Sequence, residues 1–121
     1  MTIDPPRPLT ARERAMLELV LSPDFAGAAE LRHQSTSAAV VGRCDCGCPS
    51  VDLRVDDSAP PAALTARLVP FELEVLPSDD ESPGQVLVFT DEGRLSYLEY
   101  VYFDQPPTDW PDLRRVRVVG P

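Results

Sequence analysis

The sequence predicts an α+β domain in which two N-terminal helices pack on one face of a five- or six-stranded antiparallel sheet. Three observations lead there. Apolar residues recur at helical spacing only before residue 34. From Ser35 onward the apolar residues alternate with polar ones, the period of a half-buried strand. Turn chemistry at Asp91-Glu-Gly-Arg94 joins two of these runs as a hairpin. Helices and strands segregated in this way belong to α+β architectures rather than to alternating βαβ units. At 121 residues the chain reads as one domain.

Residues 1–8 hold Pro5, Pro6 and Pro8 and read as a flexible arm. Thr10 and Glu13 form a capping box that starts a helix over residues 11–21, with Met16, Leu17, Val20 and Leu21 inward. Pro23 ends it. A second helix is expected over residues 23–33, with Phe25, Ala28, Ala29 and Leu31 facing the core. Gly27 weakens that segment by about 1 kcal/mol relative to Ala. Strands are expected over residues 37–44 and 51–55, with a turn or bulge at Gly47 and Pro49 between them. A loop over residues 57–63 leads to a strand over 69–75, where Pro70 demands an edge position or a bulge. Residues 77–84 form a polar loop. Strands over residues 85–90 and 94–103 flank the hairpin turn, and a last short strand covers 113–119.

Charge narrows the partners. Twenty acids against eleven basic residues give a net charge of −9. Nucleic-acid backbones and anionic membrane surfaces both need basic patches, so neither is expected as a partner. The excess is local: residues 43–104 carry thirteen acids against four arginines, a net of −9. A protein partner is therefore expected to be basic and to meet the sheet. All eleven basic residues are Arg, and Lys and Asn are absent, the composition of a GC-rich bacterial genome. No apolar stretch approaches the roughly 20 residues of a membrane span. The N-terminus shows no basic start followed by an apolar run, so a cytoplasmic location is expected.

The densest chemistry lies at Cys44-Asp-Cys46-Gly-Cys48. Two readings stand open. Three thiols can ligate a metal, zinc being the candidate, with His33 as a fourth donor. Spacing opposes this, because alternate residues of an extended strand lie about 6.6 Å apart. Thiolates sharing one zinc at about 2.3 Å lie near 3.8 Å from each other. Only a turn at Gly47 closes that gap. The other reading makes the cysteines small buried hydrophobes with no cofactor. Thiol catalysis needs a paired base, and His33 is the only imidazole, so no catalytic residue and no enzyme activity are expected. The glycines spell no phosphate loop. The acidic run Asp79-Asp-Glu81 reads as a solvated loop, as do Glu72 and Glu74 on their strand face.

The strand over residues 94–103 is the richest surface feature. Strict alternation puts Leu95, Tyr97, Glu99, Val101 and Phe103 on one face and Ser96, Leu98, Tyr100 and Tyr102 on the other. Trp110 folds over one of them. Exposed Tyr and Trp are common interface anchors, so Tyr97, Glu99, Tyr100, Tyr102 and Trp110 form the candidate protein-binding set. Ordinary coverage by the C-terminal segment is the competing expectation.

The pieces Val41-Gly-Arg-Cys44, Cys46-Gly-Cys-Pro-Ser-Val-Asp-Leu53, Asp91-Glu-Gly-Arg-Leu-Ser-Tyr-Leu-Glu99 and Asp109-Trp-Pro-Asp112 resemble a group of small uncharacterised actinobacterial proteins. The resemblance covers most of the chain and implies one compact bacterial domain. It carries no activity and no site residue. In size, acidity and α+β pattern the chain also resembles immunity proteins of toxin systems. That analogy implies a non-catalytic inhibitor of a basic toxin.

Overall fold

The computed structural model describes all residues, Met1–Pro121. Seven strands form one antiparallel sheet: β1 (Thr2–Pro8), β2 (Ala39–Arg43), β3 (Val51–Arg54), β4 (Glu72–Val75), β5 (Gly84–Asp91), β6 (Arg94–Tyr102) and β7 (Val116–Val119). Their spatial order is β1-β2-β3-β6-β5-β4-β7. Helices α1 (Ala11–Val20) and α2 (Ala28–Ser35) contact the sheet, α1 at β4 and β5 and α2 at β6. The α+β class holds, with one strand more than expected and with that strand preceding both helices.

The additional strand is the segment expected to be a loose arm. A proline lacks the N–H that a central strand needs but is tolerated at an edge, and β1 is an edge. Its pairing with β2 runs through Thr2 opposite Gly42 and Arg7 opposite Val40, with the irregularity between them. Two further contacts pin it. The Met1 amide oxygen accepts from Arg43 N–H at 2.8 Å. The Arg7 guanidinium donates two bonds of 2.9 Å to the carboxylate of Glu13, which is only 3% exposed.

Helix α1 begins as its capping box demands. Thr10 Oγ1 accepts from the Glu13 N–H, and the Glu13 carboxylate accepts from the Thr10 N–H. Met16, Leu17, Val20 and Leu21 are all essentially buried. Helix α2 is shorter than expected. Gly27 has φ +93°, a left-handed conformation that cannot lie inside a helix, so α2 starts at Ala28. Residues 23–26 stay outside it, and Ala29 faces solvent rather than the core. Phe25 still packs inward, its ring 5.9 Å from that of Phe71.

Gln34, fully buried in α2, ties three parts of the chain together. Its Nε2 donates to the Pro60 and Gly93 carbonyls, each at 2.9 Å, and its Oε1 accepts from the Leu95 N–H at 3.0 Å. The β5–β6 hairpin turn is thereby held against α2. Gly93 sits in that turn at φ +77°, and a side chain there would collide with the Ala62 carbonyl.

One face of the sheet is dry. Val86 and Val88 of β5, Leu73 and Val75 of β4, and Leu95, Leu98 and Tyr100 of β6 join both helices in one apolar core. The alternation expected for β6 is broken by a bulge. Phe89 pairs with Tyr97 but Thr90 pairs with Leu95, leaving Ser96 as the extra residue. Leu95 therefore shares the core face with Leu98 and Tyr100, while Tyr97 and Glu99 remain half-buried on the opposite face.

Candidate metal centre

The β2–β3 connection is a tight loop closed by the Cys44 N–H donating to the Ser50 carbonyl at 3.2 Å. Its base is fixed. Cys48, Pro49 and Ser50 are buried, and the Ser50 hydroxyl accepts from the Tyr100 N–H of β6 at 2.9 Å. Its tip is open, with Cys44 half-buried and Cys46 exposed. The chain reverses at Asp45 and Cys46 and bends on through Gly47, which takes φ +87°. An L residue with a side chain rarely adopts that conformation.

This reversal removes the spacing objection. The three sulfurs lie within 4.8 Å of one another, far closer than alternate residues of a strand allow. Cys44 Sγ and Cys46 Sγ are 2.8 Å apart, and the Cys48 N–H donates to Cys46 Sγ at 3.4 Å. Three thiols at this separation are near enough to bind one metal ion. The expectation that all three are buried core residues fails for Cys44 and Cys46, because the turn lifts them off the strand face.

The cluster polarises its own thiols. Hydrogen bonding to Cys46 pushes the Cys44 thiol up to about 11. The Cys46 thiol is lowered to about 6 by the bond from Cys44 first, then by the Cys48 side chain and N–H and by the Tyr102 phenol. Tyr102 is itself raised, chiefly by that bond to Cys46. Tyr97 is raised by burial first, a hydrogen bond with Ser50 opposing the rise and the neighbouring Cys44, Glu99 and Cys48 adding to it. The donors around Cys46 thus favour its thiolate over that of Cys44.

His33 is not among the clustered donors. It is exposed in the last turn of α2 and supplies no fourth ligand. The protein-binding set is also divided. Tyr100 is 5% and Trp110 2% exposed, and their rings stack with centroids 5.8 Å apart. Arg12 donates to the Trp110 carbonyl at 2.7 Å, fastening the C-terminal segment over α1. These two aromatics are core, so coverage by the C-terminal segment is the outcome. Tyr97, Glu99 and Tyr102 keep part of their surface. Tyr102 also lines an open cleft of about 650 Å³ between the 78–83 and 103–112 loops. The cleft's two arginines are engaged, Arg115 with Glu81 and Arg12 with Asp109.

Sequence reasoning missed Tyr102 as a neighbour of the thiols. Its approach depends on β3 lying beside β6, a pairing across more than 40 residues that no local pattern announces. No protein-family model, curated protein or solved structure matches the chain. The arrangement of the site therefore carries the functional reading. No helix is long and apolar enough to cross a membrane.

Proposed function

We propose that the protein binds one borderline-soft metal ion, zinc, at Cys44, Cys46 and Cys48. The carrying observation is the mutual approach of the three sulfurs to within 4.8 Å on a loop whose base is buried and whose tip is open. Thiolate sets select such ions over magnesium or calcium, which prefer oxygen. The Cys46 thiolate is the first point of attachment, and binding then draws the protons from the remaining thiols, as metal ligation by cysteine does. No carboxylate or imidazole joins the cluster. The role this donor set supports is ligation rather than proton transfer.

Metal analysis of reduced, purified protein dialysed against zinc tests the reading. About one zinc per chain is expected, falling away in Cys46→Ser and Cys48→Ser. Less than about 0.2 zinc per chain, with all thiols freely reactive, would refute it, because thiolate-bound zinc survives dialysis.

A second reading, docking of a basic protein partner in the manner of an immunity protein, is supported by the open sheet face. There Phe89 and Tyr97 pair with ring centroids 6.1 Å apart beside Glu99. Co-purification of a basic protein, weakening steeply with salt, is the expected sign. Retention that ignores salt would contradict it.

A further inference from the structure

Three sulfurs leave a zinc ion one ligand short. Closed structural zinc sites take four protein donors, and three-donor sites hold an outside ligand at the fourth position. No further cysteine, histidine or carboxylate joins the cluster. The chain has no cysteine beyond these three. Asp45, on the same loop, pairs its carboxylate with the Met1 ammonium at 3.1 Å. His33 is exposed on α2 and outside the cluster.

The approach to the loop is unobstructed. A methyl group placed on Gly47 would meet no atom within 4 Å, so the tip borders open space. Cys46 is exposed on that tip. The buried base at Cys48 to Ser50 holds the loop in place from beneath.

The chemistry of three thiolates says what enters. Together with a divalent ion they carry a net charge of −1 and have already quenched much of the metal's Lewis acidity. A water there is poorly activated, and no carboxylate or imidazole stands in the cluster to take its proton. A soft sulfur donor suits the ion better. The surrounding chain then selects the carrier of that sulfur. Residues 43–104 hold thirteen acids against four arginines, a field that repels anionic thiols and attracts basic ones.

Resting on the thiolate-metal reading, we infer that the fourth ligand of the ion is a cysteine thiolate from a basic polypeptide, so that the ion joins the two chains. The exchange is balanced and redox-neutral. The incoming S–H gives its proton to solvent, its sulfur bonds the metal, and the bound water leaves.

Cobalt(II) titrated into the full-length reduced chain tests this, read by sulfur-to-cobalt charge-transfer absorbance. Binding of cobalt alone checks the underlying metal reading. If none binds, that reading fails before any peptide is added. The loaded protein is then titrated with three short peptides: an Arg-flanked Cys peptide, a Glu-flanked Cys peptide and an Arg-flanked Ser peptide. The Arg–Cys peptide is expected to raise the charge-transfer intensity by about a third, the change from three thiolates to four. At low salt it is expected to saturate at roughly tenfold lower concentration than the Glu–Cys peptide. Loaded protein that ignores both Cys peptides overturns the inference, as does an equal response to the Ser peptide. Equal affinity for the Arg- and Glu-flanked peptides overturns the basic polypeptide as the partner. Dimerisation of the chain on cobalt loading, seen by gel filtration, overturns it by assigning the fourth donor to a second copy.

Discussion

Alkylation of the metal-free, reduced protein with iodoacetamide at pH 7 is expected to modify Cys46 well before Cys44. The thiolate is the reacting species. With Cys46 lowered to about 6, roughly 90% of it is thiolate at pH 7, whereas Cys44, pushed up to about 11, is ionised only about one part in 10⁴. The fractions alone favour Cys46 by about 10⁴. A more acidic thiol is a weaker nucleophile, and a Brønsted coefficient of about 0.4–0.5 over five pK units removes about 10² to 10²·⁵ of that advantage. Roughly 30- to 100-fold selectivity remains. Exposure acts the same way, since Cys46 is open and Cys48 is only 3% exposed. Timed acid quenching and peptide mass spectrometry give the site-specific rates. The Cys46 rate is expected to reach half its plateau near pH 6 and to be flat above about pH 7. Since ionisation limits the rate, lowering the pH below 6 slows labelling about tenfold per unit. Saturating zinc is expected to abolish labelling. A half-point near about 8.5, the value of an ordinary thiol, would refute the proposed polarisation. So would equal rates at Cys44 and Cys46.

Three other outcomes follow from the packing. Gln34→Leu strands the buried Leu95 N–H, while the Gly93 carbonyl keeps its bond from Ala62 and Pro60 is exposed to water. A loss of about 2–3 kcal/mol is expected in urea unfolding, and a change under about 0.5 would contradict the bridging role of Gln34. Burial pushes the Glu13 carboxyl up, but bonds from Arg7 and Thr10 outweigh it and hold the group below its usual range. That stabilisation is complete above the ordinary carboxyl value of about 4.3 and is lost as pH falls through the lower folded value. Arg7→Met should cost about 1–3 kcal/mol at pH 7, discounted for the partly exposed guanidinium, and should flatten the acid limb of the stability profile. An unchanged acid limb would contradict it. Gly93→Ala forces an L side chain into φ +77° and against the Ala62 carbonyl, so Tm should fall by at least about 4 °C in a thermal melt.

What could be read from the sequence was whatever depends on neighbours a few residues apart. The capping box at Thr10 and Glu13, the stripe of Met16, Leu17 and Val20, and the alternation through Val51 and Leu53 are all local and all appear in the fold. The failures have non-local causes. The proline-rich segment at residues 2–8 became a strand because β2 offered it an edge and Glu13 offered Arg7 a buried carboxylate. The faces of β6 were misassigned because a bulge at Ser96 shifts everything before it by one residue. Nothing in the residues 94–103 themselves marks Ser96 as the extra one. Tyr100 and Trp110 looked like surface anchors because composition cannot say which aromatics will stack on each other beneath a C-terminal segment.

The cysteine cluster shows how one residue changes what spacing means. The distance argument against a metal assumed that Cys44 to Cys48 stays extended, so that each pair of residues adds about 6.6 Å. That assumption fails at the turn through Asp45 and Cys46 and at Gly47, whose positive φ is available because it carries no side chain. Once the chain folds back, the alternate placement that separates thiols on a strand gathers them on a loop. The same glycine leaves the outer side of that loop bare, so closeness of the sulfurs and access to them share one cause. The acidic surface bears on access as well. It argues against polyanions such as nucleic acid and in favour of cations, which include both a metal ion and the basic chain inferred to ligate it. Raising the ionic strength should therefore weaken the approach of that chain while leaving metal–sulfur bonds intact, since screening acts on separated charges and not on coordinated ligands.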